Sequence, residues 1–153
     1  QGVSDTKSLH VYFTRVKLPK KKHVKNRAII LSEAGGYSLI TPNHVYSDKS
    51  FGYKMLKDKT ALMDEYETFI NKDILKNIKK GLSAFIYTEL SDVEDEVNGF
   101  ITYDREVVKV DIERIKEIND KVTYWFKGLW PFNFYYFFIF FLKSESYNRS
   151  SYY

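Results

Sequence analysis

The chain has 153 residues, enough for one domain with a real core, and 24 basic against 20 acidic residues leave a net charge of +4. That surplus is too small and too scattered to argue for a nucleic-acid partner, and the lack of cysteine excludes disulfides and thiolate metal sites. Aromatic residues reach 18%, and many of them crowd a single block near the C-terminus, so the tail is compositionally distinct from the rest.

The N-terminus opens on Gln1 with no signal-peptide pattern, which together with the lack of cysteine favours the cytoplasm and a start partway through a larger protein. Leu9–Phe13 alternates around β-favouring residues and is predicted as a strand, with His10 and Tyr12 on one face and Leu9, Val11 and Phe13 on the other. Lys17–Arg27 is a basic loop. Without a second basic cluster or interleaved aromatics it reads as a solvated connection rather than a binding patch.

Ala28–Leu31 is an apolar run that passes directly into Ser32, Glu33, Ala34, Gly35 and Gly36. A short apolar run bounded by turn residues is the pattern of a parallel strand buried on both faces. Glu33 then falls at the strand's carboxyl end, beside glycines that allow a tight turn and a close backbone approach. Barrel and open α/β enzymes put catalytic groups there. The plainer alternative is a solvated or salt-bridged carboxylate.

Tyr37–Tyr53 reads as a long loop, and neither His44 nor His23 has a partner at metal-ligand spacing. Thr60 is the expected N-cap of a helix whose apolar positions are Leu62, Tyr66, Phe69, Ile70, Ile74 and Ile78, with Gly81 closing it. Asn71–Asp73 is expected to interrupt that helix. Leu82–Leu90 is the next strand, and it leads into an acidic stretch, Ser91–Arg105. A calcium loop counted from Asp92 would need Gly and Glu where the chain has Val97 and Tyr103, so the stretch is read as a solvated face. Asp111 is expected to cap a helix carrying Ile112, Ile115, Ile118 and Val122.

The order is strand, loop, helix, strand, acidic loop, helix. These βα units have the spacing of a barrel or a doubly wound sheet, but an eight-stranded barrel takes about 250 residues. The predicted fold is therefore α/β and incomplete, with open strand edges.

Ile30–Leu39 (Ile-Leu-Ser-Glu-Ala-Gly-Gly-Tyr-Ser-Leu) and Gly81–Arg105 (Gly-Leu-Ser-Ala-Phe-Ile-Tyr-Thr-Glu-Leu-Ser-Asp-Val-Glu-Asp-Glu-Val-Asn-Gly-Phe-Ile-Thr-Tyr-Asp-Arg) resemble glycoside hydrolase family 2. This is the family of β-galactosidases, β-glucuronidases and β-mannosidases. The resemblance runs from about Asp5 to Val122 and is to the end of the catalytic (β/α)8 TIM barrel, about strands 6 to 8. It implies a domain fragment over residues 1–122, with Leu9–Phe13 as strand 6, Ala28–Leu31 leading to strand 7's end and Leu82–Leu90 as strand 8.

The resemblance further implies that Glu33 is the nucleophile of a retaining β-glycosidase, that His10 and Tyr12 lie near the sugar, and that no cofactor or metal takes part. The family usually has an aromatic residue after the nucleophile; here it is Ala34, a departure expected to loosen packing around Glu33. The family's acid/base is the Glu of an Asn-Glu pair on an earlier strand, and no Asn-Glu dipeptide occurs in the chain. Glu89, Glu94 and Glu96 have no feature that promotes them to the role. The expectation is a carbohydrate-directed fragment with half a catalytic pair and little or no activity by itself.

From Thr123 the resemblance ends and residues 123–153 form an aromatic-rich tail. Its unbroken apolar run, Phe134–Leu142, has nine residues, short of the about 20 that a membrane span requires. An interfacial anchor is the milder version, and a membrane-associated, non-catalytic protein is the alternative function. The preferred reading of the tail is instead a frameshift or false exon in an A/T-rich gene, which would give such runs of Phe, Tyr, Ile and Lys.

Overall fold

The computed structural model describes residues 4–129, with side chains through Trp125. The fold is a mixed α/β arrangement built on a small parallel sheet. Strands β1 (Thr6–Val11), β2 (Ala28–Gly35) and β5 (Leu82–Thr88) form it, in the order β1-β2-β5. A one-turn helix α1 (Lys21–Val24) lies between β1 and β2. Two short strands, β3 (Tyr37–Ser38) and β4 (Lys54–Met55), pair in the loop after β2. Helix α2 (Lys59–Phe69) continues through a π-helical turn (Ile70–Ile74) into α3 (Leu75–Ile78), and α4 (Ile112–Leu129) closes the described chain.

The helical spacing read from the sequence gives the core. Leu62, Met63, Tyr66 and Phe69 of α2, Ile70 and Ile74 of the π turn, and Ile115, Ile118 and Val122 of α4 are buried with Leu31, Ala34, Phe85 and Tyr87 of the sheet. Ile112 is instead exposed. Tyr66 meets Tyr87 and Phe100 edge-on, with ring centroids 5.1 and 5.2 Å away, and donates its hydroxyl to Asn119 Oδ1 at 2.7 Å. That last bond satisfies the polar end of an otherwise apolar burial.

The interruption expected at Asn71–Asp73 lies within the π turn. The wider turn brings Asp73 inward with Ile70 and Ile74, and Asp73 accepts from Val16 N (3.1 Å) and Arg15 Nη1 (2.8 Å). The N-cap of α2 is Asp58, not Thr60: its carboxylate accepts from Ala61 N at 2.7 Å, and a carboxylate also favours the helix's positive end. Gly81 closes the helical stretch with its N–H on Ile78 O at 3.0 Å. Asp111 caps α4 as expected, accepting from Arg114 N at 3.1 Å.

Two expectations are corrected. β2 is covered on one face only: Ile29 and Leu31 are buried, while Ala28 is exposed and Ile30 is partly so. The helices pack on a single side of the sheet, and Ser8, His10 and Ile86 on the other side are exposed. The acidic stretch is no solvated face either, because Asp92, Asn98 and Thr102 are buried. Asp92 goes inside because Lys109 meets it there at 2.7 Å.

α4 runs without a break through Thr123 to Leu129, and Trp125 packs against the core with Lys79 Nζ 4.3 Å from its ring centre. The aromatic run Phe134–Leu142 lies outside the described residues. Among the described residues no helix is long and apolar enough to cross a membrane.

Candidate functional site

The site forms where β1, β2 and β5 end. Along β2, Leu31 is paired with Leu9 of β1 and Glu33 with His10, so Ser32 is an extra residue; the β2–β5 register also shifts between Leu31 and Ala34. This is a β-bulge, which bends a strand and re-aims the side chains after it. Strict alternation would put Glu33 on the buried face with Ile29 and Leu31. After the bulge Ala34 takes that face and Glu33 is turned outward, 44% exposed. Ser32 anchors the bulge by donating to Leu9 O at 3.2 Å and meeting the Ser8 hydroxyl.

Both residues proposed from β1 reach the same carboxylate oxygen. Tyr12 donates its hydroxyl to Glu33 Oε2 at 2.8 Å, and His10 Nδ1 lies 3.4 Å from that oxygen. Among the described residues no hydrogen bond reaches Oε1. The carboxylate is thus held by one oxygen and open at the other. To make this contact Tyr12 and Phe13 leave the ladder, which is why β1 ends at Val11 rather than Phe13. Phe13 does not share the buried side of Leu9 and Val11 but is exposed, tilted over Tyr53.

Tyr12 is fixed from its other face. Its ring stacks on Tyr53 with centroids 4.1 Å apart and planes 8° apart, and Phe51 meets Tyr53 edge-on at 5.3 Å. Gly36 makes room for this stack: a Cβ there would lie 2.7 Å from Tyr53 Cδ2 and 2.9 Å from Tyr12 Cδ1, and its φ of +68° suits glycine. Burial, reinforced by the neighbouring Glu33 carboxylate and opposed by a hydrogen bond with Thr88, pushes the Tyr12 phenol up to about 12. At neutral pH Tyr12 therefore keeps its proton and donates it to Glu33.

The floor is a second polar layer. Lys109 Nζ, fully enclosed, donates to Asp92 Oδ1 (2.7 Å), Leu39 O (3.0 Å) and Val97 O (2.9 Å), and Asp92 Oδ1 also takes Gly99 N at 2.8 Å. Burial pulls the ammonium down and pushes the carboxyl up, and the ion pair opposes both shifts. One lysine therefore ties the loop after β2 to the loop after β5. Backbone bonds from Leu39 N to Val97 O (3.1 Å) and from Val97 N to Phe51 O (2.9 Å) complete the link.

Glu89 is the residue that sequence reasoning passed over. It follows Thr88 at the end of β5, and burial, with Glu96 and Asp92 nearby, pushes its carboxyl up to about 7. Its Oε1 and the Oδ1 of Asn98 are buried without a hydrogen-bond partner among the described residues. Glu94 sits on an exposed turn, and Glu96 accepts from Asn98 Nδ2 at 3.0 Å. A carboxylate placed one residue past a strand of buried aromatics was the available signal for Glu89.

His44 does find a carboxylate, Asp104, at 2.7 Å; sixty residues separate them in the sequence. With Glu106 they place one donor atom each within 4.8 Å of one another, the donor set among the described residues that could hold a metal. Asp104 is already engaged by Thr102 and by the backbone of Glu106 as well as His44, and these bonds hold its carboxyl down at about 2. Ala34, expected to loosen the site, is fully buried in register with Val11 and Tyr87. No protein-family model matches the chain, and no curated protein matches it.

Proposed function

We propose that the chain is the closing part of a (β/α)8 barrel of a retaining β-glycosidase, of the family 2 kind, with Glu33 as its nucleophile. Three parallel strands in chain order with helices on one face are compatible with consecutive strands of such a barrel. The observation that carries the reading is the bulge at Ser32, which presents Glu33 at a strand's carboxyl end with Oε2 held by Tyr12 and Oε1 open. A nucleophilic carboxylate needs to be ionised, oriented by one oxygen and unobstructed at the other.

In this reading Oε1 attacks the anomeric carbon from one side of the ring, the glycosidic bond breaks, and the sugar is held as an ester on Glu33 until water displaces it. His10 and Tyr12 line the approach to the same carbon. A retaining pair has a second carboxyl group roughly 5–5.5 Å from the first to protonate the leaving oxygen. The chain has no Asn-Glu dipeptide to supply it, and Glu89 presents a buried, enclosed Oε1. Unactivated β-glycosides are therefore expected to be turned over little or not at all.

A leaving group that needs no proton bypasses the missing acid. Incubation with 2,4-dinitrophenyl 2-deoxy-2-fluoro-β-glycosides of the galacto, gluco and manno series tests the reading by peptide mass spectrometry. One fluoroglycosyl residue is expected on the peptide containing Glu33, slower in Tyr12→Phe and lost in Glu33→Gln. A label on a different carboxylate, or no label from any of the three sugars, overturns it.

A further inference from the structure

A cleft of about 660 Å³ opens on the helical side of the molecule, between the loop that follows β1 and the π–α3 segment. Its charged lining is Arg15, Lys17, Lys72, Asp73, Lys76 and Lys80, five cations against one carboxylate. That local surplus equals the net charge of the whole chain. The lone carboxylate is already engaged, since Asp73 accepts from Arg15 Nη1 and Val16 N. None of the four lysines makes an ion pair among the described residues, whereas Lys54 of β4 and Arg114 and Lys121 of α4 are each matched to carboxylates of α2.

The basic loop of the sequence lacked a second cluster, and the fold supplies one. Lys72, Lys76 and Lys80 recur at four-residue steps and meet Lys17 across the cleft. The walls are fixed rather than draped. Asn77 Nδ2 donates to Val16 O (3.0 Å) and Asp73 O (2.8 Å), so loop and helix are bonded through buried groups while the ammonium groups stay exposed.

We propose that this cleft binds a compact polyphosphate, the triphosphate group of a nucleotide or a free triphosphate chain. Several lysine point charges around a concavity of ligand size suit clustered phosphate oxygens, which need charge density rather than the planar fork of a guanidinium. None of the lining residues belongs to the Glu33 group, so the proposal is independent of the glycosidase reading.

The test is calorimetric titration of the full chain with inorganic tripolyphosphate, and separately with ATP, at low ionic strength, where exposed charges are least screened. The triple variant Lys72→Gln, Lys76→Gln, Lys80→Gln is compared with Lys20→Gln, Lys21→Gln, Lys22→Gln, which removes the same charge outside the cleft. One bound tripolyphosphate is expected, at least tenfold weaker in the first variant and less than threefold weaker in the second. ATP binding within threefold of tripolyphosphate identifies the phosphate chain as the ligand; ATP binding more than tenfold tighter identifies a nucleotide. Amide shifts of the unmodified chain should be confined to residues 15–18 and 71–80. Equal weakening in both variants, shifts elsewhere, no binding at millimolar ligand, or tighter binding of a single-stranded RNA than of either probe overturns the proposal.

Discussion

The two faces of the three-stranded sheet differ in what they are made of. One carries Leu31, Ala34, Phe85 and Tyr87 into contact with the helices; the other carries Ser8, His10 and Ile86 without cover, Ile86 being 58% exposed. The strands switch between these roles by a single extra residue at Ser32. Cohesion therefore resides on the helical face, and the Glu33 carboxylate is turned toward the open one. An open β face with outer strands β1 and β5 is a surface that further sheet would cover, as the barrel reading requires.

The largest effect should come from the layer that joins the strand-end loops. Asp92→Asn leaves the Lys109 ammonium enclosed without its counter-charge, and breaking a buried pair in this way costs about 3–5 kcal/mol. Denaturant unfolding should show a correspondingly lower midpoint or no cooperative transition at all. The double variant Asp92→Asn, Lys109→Met should recover most of that loss, since no buried charge remains. A single variant as stable as the parent would mean that the loops are held by their backbone bonds instead.

The contrast between faces is tested next. Leu31→Ala removes a fully buried side chain and should cost about 2–5 kcal/mol, whereas Ile86→Ala, one residue past Leu31's partner Phe85 and in β5's outward position, should cost less than about 0.5 kcal/mol. Comparable losses at the two positions would show that the outward face is covered in solution, by self-association or by the residues beyond 129. Sedimentation of both variants separates those cases.

Periodicity made much of this legible. Three strands, the long helix, its interruption and the cap at Asp111 follow from local pattern, because each depends on residues within a turn or two. The family resemblance put Tyr12 and His10 near the sugar; in the fold both meet the Glu33 carboxylate at Oε2. What could not be read is what depends on a partner distant in the chain. The bulge exists only relative to β1 and β5. Lys109 reaches Asp92 across 17 residues and Leu39 across 70, and Asp104 reaches His44 across 60. The N-cap was missed for a local reason: Thr60 and Asp58 are both good caps, and the carboxylate starts the helix two residues earlier.

The smallest effect concerns Glu89 and has a defined sign. Its carboxyl titrates near 7 in the folded chain against the ordinary 4.5, because burial and the Glu96 and Asp92 charges disfavour ionisation. The folded state thus binds more protons at Glu89 than the unfolded state does between those two values, so this group's contribution to stability is greatest below about 4.5 and falls as pH rises through 7. Glu89 is only partly enclosed, and water screens its neighbours, so the loss is on the order of 1–2 kcal/mol rather than the full value of the shift. Glu89→Gln keeps the shape and removes the charge. It should flatten the slope of unfolding free energy against pH between 5 and 7.5 and leave the variant more stable than the parent at pH 8. An unchanged slope would assign the proton uptake to another group. A variant less stable at every pH would mean that the orphaned Oε1 has a partner in solution that the amide cannot satisfy.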